Sequence, residues 1–249
     1  MLIVYIAVMV VALIGMIICS KKQNTLAAAK PLSMVLLVVV AVCGVMVLKN
    51  QFSSGSISSL RENENRFYVS QAFVVGDYVK GKLDAGKVLI IADPSYKNDA
   101  RMTEFVEQMK KGSGGEVVID TVELPEPQEE MAEPISERMK AKDFEATIAR
   151  NSDAKVVVSL IGLPRDLKNL KILNNNKSGK GPALILLNAD VPHLGKMIAA
   201  GMVTATVTVS PKAVFNEEPA PSDAKAAFAV RYILVDKANI VENKALFGE

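Results

Sequence analysis

The sequence predicts an α/β domain carried behind a membrane-spanning helical hairpin, and three features predict it. Residues 2–19 and 32–48 are apolar and free of charge. From residue 87 onward, short apolar runs alternate with segments of helical period. Half of the 249 residues are hydrophobic, and the mean hydropathy is +0.24. That exceeds an ordinary soluble domain and falls short of a polytopic membrane protein, so a short anchor on a globular domain fits best.

Each charge-free run is about 26 Å long as a helix, short but workable for a hydrocarbon core. The connector, residues 20–31, carries three lysines and ends in Pro31, which opens a helix readily. The predicted anchor is therefore a two-helix transmembrane hairpin over residues 1–48. A cleaved signal peptide fits less well, because no charge precedes the first run and no small-residue cleavage site follows it. Lys21, Lys22 and Lys30 put the connector in the cytoplasm by the positive-inside rule, with Lys49 and Arg61 opposing weakly. The chain beyond the hairpin is then extracytoplasmic, as at a bacterial inner membrane. Ala12, Gly15 and Cys19 on one helix, with Ala41 and Gly44 on the other, permit close packing of the pair.

Residues 49–65 are rich in Ser, Asn and Gly and read as a flexible linker. Residues 66–249 form the predicted extracytoplasmic domain. A helix over 66–83 opens it, from the spacing of Phe67, Ala72, Val75 and Val79. The predicted strands are 87–93, 116–124, 155–161, 183–188, 204–210 and 231–236. Met102, Phe105, Val106 and Met109 mark the first intervening helix, and Ile135, Met139, Phe144 and Ile148 the second. Leu163, Leu167 and Leu170 mark a third, and Leu194, Met197 and Ile198 a fourth.

Strict alternation with apolar strands implies one open, mostly parallel sheet of five to six strands with helices on both faces. The expected order is 2-1-3-4-5, the sixth strand lying at an edge. This pattern resembles a Rossmann-like domain of the flavodoxin-like kind, or one lobe of a periplasmic sugar-binding protein.

Ligands of such sheets bind outside the strand carboxyl ends. That places Asp93, Ser95, Tyr96, Arg165, Asn188, Asp190 and His193 on the candidate rim. Dinucleotide binding needs glycines after the first strand, where this chain has 93–97 as DPSYK. The glycine- and lysine-rich stretch 177–181 precedes a strand and so lies at the wrong edge for a phosphate loop. The third strand ends in Ser159-Leu160-Ile161-Gly162, without a phosphoacceptor aspartate. No cofactor is therefore expected. Asp93, Asp190 and His193 are a weak set for a metal, and no metal is expected either; both cysteines, Cys19 and Cys43, lie in the apolar runs. A hydrolase would have to use Ser95 with His193, the single histidine, oriented by Asp190. No G-x-S-x-G elbow supports it.

The net charge of +2 arises from the anchor: residues 1–60 hold four lysines and no acid, so residues 61–249 carry −2. A nucleic-acid partner is disfavoured, because phosphate binding needs a clustered positive field. The stretch 123–134 holds five glutamates, and Glu126, Glu129 and Glu130 form a candidate partner-facing acidic loop. Lys110, Lys111, 150–155 and 174–180 lean the opposite rim basic. The leading expectation is a membrane-anchored, extracytoplasmic, non-catalytic binding or scaffold module, a possible subunit of an envelope assembly. Its expected partners are the lipid bilayer and a protein or second copy in the membrane. The alternatives are a membrane-tethered hydrolase using Ser95 and His193, and a small-ligand sensor.

Overall fold

A computed structural model describes residues 2–22, 29–52, 55–83, 86–124, 135–216 and 218–248. The chain divides into two compact units, 1–62 and 63–249.

The first unit contains α1 (Leu2–Lys21) and α2 (Ala29–Phe52). They pack through small residues: Ala12 and Cys43 are buried. A Cβ on Gly15 would stand 3.1 Å from Leu36. Their outer faces are apolar and open, with Val11 at 69%, Met34 at 67% and Val45 at 63% exposure. Among the described residues, Pro31–Leu48 is the stretch long and apolar enough to cross a membrane, with a mean hydropathy of 2.8. The apolar part of α1, Tyr5–Lys21, is shorter.

The spacer reading is corrected at 49–52 and 55–65, which are helical; residues 53 and 54 lie outside the described residues. α2 runs through Phe52, and α3 spans Gly55–Lys82. Weak helix formers are tolerated here because tertiary bonds hold them. Asn63 Nδ2 donates to the Glu218 carbonyl at 2.9 Å, and Asn63 Oδ1 accepts from Ala220 N at 2.8 Å. Glu64 takes a bidentate pair from Arg231, at 2.5 and 2.8 Å.

The second unit is built on β1 (Val88–Ala92), β2 (Val117–Thr121), β3 (Val156–Ser159), β4 (Ala183–Leu187), β5 (Ala205–Val209) and β6 (Tyr232–Asp236). Their order is β2-β1-β3-β4-β5-β6. The first five are parallel; β6 pairs antiparallel with β5. This is an α/β fold with a mostly parallel six-stranded sheet. The strand period of two splits β1 between two cores. Val88, Ile90 and Ala92 face α3, α4 (Ala100–Ser113) and α9 (Ala224–Arg231), through Val75, Phe105 and Phe228. Leu89 and Ile91 face α6 (Ala141–Arg150), α7 (Lys171–Lys177) and α8 (Leu194–Ala199), through Phe144, Leu173 and Ile198.

α3 and α4 touch backbone to backbone. A Cβ on Gly76 would sit 2.6 Å from the Met109 carbonyl and 2.7 Å from Ser113 N. Gly112 faces the Phe73 carbonyl with equally little room.

Two helix readings are also corrected. The single helix read from Ile135 to Ile148 is broken into α5 (Ile135–Arg138) and α6. The break is a cap: Asp143 accepts from Lys140 N at 3.2 Å, and Asp166 accepts from Ala141 N at 2.8 Å. The helix read from Leu163 to Leu170 shifts downstream, to a 3-10 turn at Leu167–Asn169 and then α7. Gly162, at φ 74°, turns the chain out of β3, and Leu163 packs into the core from a loop. Glu145 then accepts from Ile172 N at 2.8 Å and caps α7 from a neighbouring helix.

Candidate functional site

The carboxyl rim is assembled from the turns after β1, β3, β4 and β5. After β1, Asp93 accepts from Ser95 N at 2.8 Å and caps a 3-10 turn, Pro94–Asn98. Asp93 and Ser95 are exposed, while Tyr96 leans on the core beneath. After β3, the Ser159 hydroxyl donates to the Gly162 carbonyl at 2.7 Å and fixes the turn that presents Arg165.

The turn after β4 is the unusual one. Asn188 has φ 50° and His193 φ 59°. They are the two non-glycine residues in the left-handed region among the described residues, and they bracket one loop. Asn188 N donates to the Val207 carbonyl at 2.8 Å. Its side-chain amide donates to Gln71 Oε1, also at 2.8 Å. Gln71 lies on α3 and is 1% exposed. The same Gln71 side chain hydrogen-bonds Tyr232, whose phenol is raised by burial despite Arg231 and this bond. A polar chain centred on the buried Gln71 thus runs from the sheet edge to the rim loop. His193 caps α8 without a side-chain hydrogen bond to it.

This loop separates two clefts. One, of about 550 Å³, lies on the β3 side and includes Glu137, Leu163, Arg165, Asp190 and Val191. The other, of about 450 Å³, lies on the β5 side and includes Asn188, Asp190, His193, Thr208, Leu246 and Phe247. Arg165 and Glu137 neutralise each other at 2.6 Å. Asp190 makes no ion pair among the described residues and lines both clefts. Asp166, just outside, has its carboxyl pushed up by burial but held below the ordinary range by bonds from Ala141 N and Asn169.

The structure gathers Arg165, Asn188, Asp190 and His193 around these clefts and leaves Asp93, Ser95 and Tyr96 apart. β1 and β4 are separated by β3, so the Ser95 and His193 turns stand about two strand spacings, ~10 Å, apart. Ser95 lines neither of the clefts that Asp190 and His193 border. Among the described residues, no group of three or more metal-ligating side chains is gathered. Glu126, Glu129 and Glu130 lie outside the described residues. On the amino rim, Arg150, expected to be part of a basic edge, is neutralised by Asp120 and Glu123, both at 3.3 Å.

Gln71, Glu137, Thr208, Leu246 and Phe247 were not legible as site residues. Gln71 reads as one polar residue in a helix, and the last two reach the cleft only because the chain returns past α8 after β6.

No protein-family model matches the sequence, and no curated protein matches it. Solved structures of similar outline exist. A carbohydrate transporter from Acidothermus cellulolyticus, in complex with myo-inositol, is 10% identical with a TM-score of 0.44; 72% of this chain and 60% of that one are covered. A periplasmic ribose ABC transporter from Conexibacter woesei is 12% identical with a TM-score of 0.42, over 72% and 60%. A carbohydrate transporter solute-binding protein from Agrobacterium radiobacter, with D-arabinose, is 20% identical with a TM-score of 0.41, over 73% and 61%. The chain spans about 60% of the length of these structures.

Proposed function

We propose that this chain is a membrane-held, extracytoplasmic binding module for a small polar ligand, with its site on the rim loop between β4 and α8. The observation that carries the reading is the bracketing of that loop by two left-handed non-glycine residues, Asn188 and His193, where two clefts meet. Such backbone persists only where the surroundings enforce it, and it concentrates at binding sites. Asp190 lines both clefts and selects against anions. The ligand class is therefore a neutral, hydrogen-bonding compound or a small cation. α1 and α2 form the anchor, because their outward apolar faces need a non-aqueous neighbour.

Thermal unfolding of the full-length protein in detergent, against polyols, amines and phosphorylated compounds, tests the site. A neutral or cationic compound should raise Tm; at a hundredfold excess over Kd it stabilises by about 2.7 kcal/mol. The Asp190→Ala variant should lose that shift, and Ser95→Ala should keep it. A shift that survives Asp190→Ala and disappears with Ser95→Ala would move the site to the β1 turn. A periplasm-active reporter fused after Glu249 should be active, and a cytoplasm-active one silent; the reverse pattern removes the orientation.

A further inference from the structure

We infer that the cleft between α1 and α2 at their lysine-bearing end is a binding site for one anionic phospholipid. The inference rests on the reading of these helices as membrane-embedded. The cleft measures about 500 Å³ and changes polarity along its length. On α1, Leu13, Met16, Ile17, Ser20 and Lys21 follow one another along a single face, apolar first and polar last. Met34 and Leu37 of α2 close the opposite wall. From Leu13 to Lys21 the helix rises about 12 Å. That approaches the thickness of one leaflet's hydrocarbon, about 15 Å. An acyl chain therefore fits the apolar part while a phosphate reaches Lys21.

Charge selects the headgroup. Residues 1–60 contain no aspartate or glutamate, and Glu62 is the first acid in the chain. Lys21, the basic group that lines the cleft, has no carboxylate within α1 and α2 to pair with. Placed at the cytoplasmic face, it meets a leaflet whose anionic lipids attract a lysine roughly fivefold over neutral ones. Free phosphate would leave the apolar walls unfilled, and a zwitterionic lipid offers Lys21 no net charge. An anionic phospholipid satisfies both halves of the cleft.

The test uses the full-length protein in nanodiscs with equal parts phosphatidylglycerol and phosphatidylcholine of the same acyl chains. Native mass spectrometry then counts the lipids retained on release. The wild type should retain phosphatidylglycerol about fivefold over phosphatidylcholine. Lys21→Gln should bring the ratio toward parity, and Leu37→Trp, which fills the cleft, should reduce retention of both lipids. Val45→Trp on the exposed outer face should change neither. Equal retention of the two lipids by the wild type, variants that behave as wild type, or displacement of the lipid by millimolar inorganic phosphate would overturn the site. A carbonate wash of cell membranes separates the two readings. A chain released by the wash overturns the anchor and the lipid site together. A chain that stays while showing no lipid preference overturns the lipid site alone.

Discussion

Asn188 holds a backbone conformation that costs most L-residues about 1–2 kcal/mol, and a buried side chain of α3 holds it there. Asn188→Ala should destabilise the domain by about 2 kcal/mol, from the backbone and the lost hydrogen bond together. Asn188→Gly should recover the backbone part. Urea denaturation of the three proteins checks the ranking; equal loss from both variants would show that the conformation carries no strain. Arg231 gives a second residue-scale prediction. It is 3% exposed. Its guanidinium lies 3.6 Å from the Phe67 ring centroid and pairs with Glu64. The Arg231 hydrogen bond, against a weaker upward pull from burial, holds the Glu64 carboxyl below the ordinary glutamate range. The contribution is therefore present above the unfolded pKa of about 4.3 and is lost as pH falls through the lowered value. Glu64→Gln should be less stable at neutral pH, with a flatter loss between about pH 5 and pH 3. Glu64 is largely exposed, so the difference should be small and shrink in salt. A steeper acid limb in the variant would contradict the pairing. The sequence marked Asn188 and Asp190 by position alone. The φ of Asn188 and its bond to Gln71, 117 residues away, arise from packing that no local pattern encodes.

At the scale of elements, the contact of α3 with α4 makes the sharpest prediction. Gly76→Ala places a methyl group against the Met109 carbonyl and Ser113 N, and should destabilise by about 3 kcal/mol. Gly81→Ala on the same helix meets nothing within 4 Å and should be neutral or slightly stabilising. Equal thermal midpoints for the two variants would show that the helices separate freely. The central strands were the most legible elements, because burial on both faces leaves apolar runs in β1, β3 and β4. Helix starts were the least legible. Asp166 caps α6 and Glu145 caps α7 from other parts of the chain, so those starts are tertiary decisions. The mistaken spacer has the same origin: its serines and asparagines favour a loop, and bonds to Glu218, Ala220 and Arg231 favour the helix.

For the whole molecule, residues 63–249 should fold on their own as a cooperative unit. The two cores either side of the sheet lie within that stretch. Circular dichroism should show mixed helix and strand, with a single urea transition; two separated transitions would divide the unit. The topology was legible because alternation and the handedness rule leave few ways to lay five parallel strands. The direction of β6 was not, since an edge strand of five residues carries no mark of its sense. The site was half legible: the rim follows from topology, while its clefts depend on a C-terminal segment whose return path no periodicity signals.

The bare crossing of α3 over α4 also limits what α3 can convey. With no side-chain layer between the backbones, α3 is keyed to its neighbour as a shaft is keyed to a hub. A roll by one residue, about 100°, would bring a side chain into the slot that Gly76 leaves open. Torque applied to this helix would therefore stall at the crossing. Movement that reaches Gln71 along α3, or leaves from it, must run as a push, a pull or a bend.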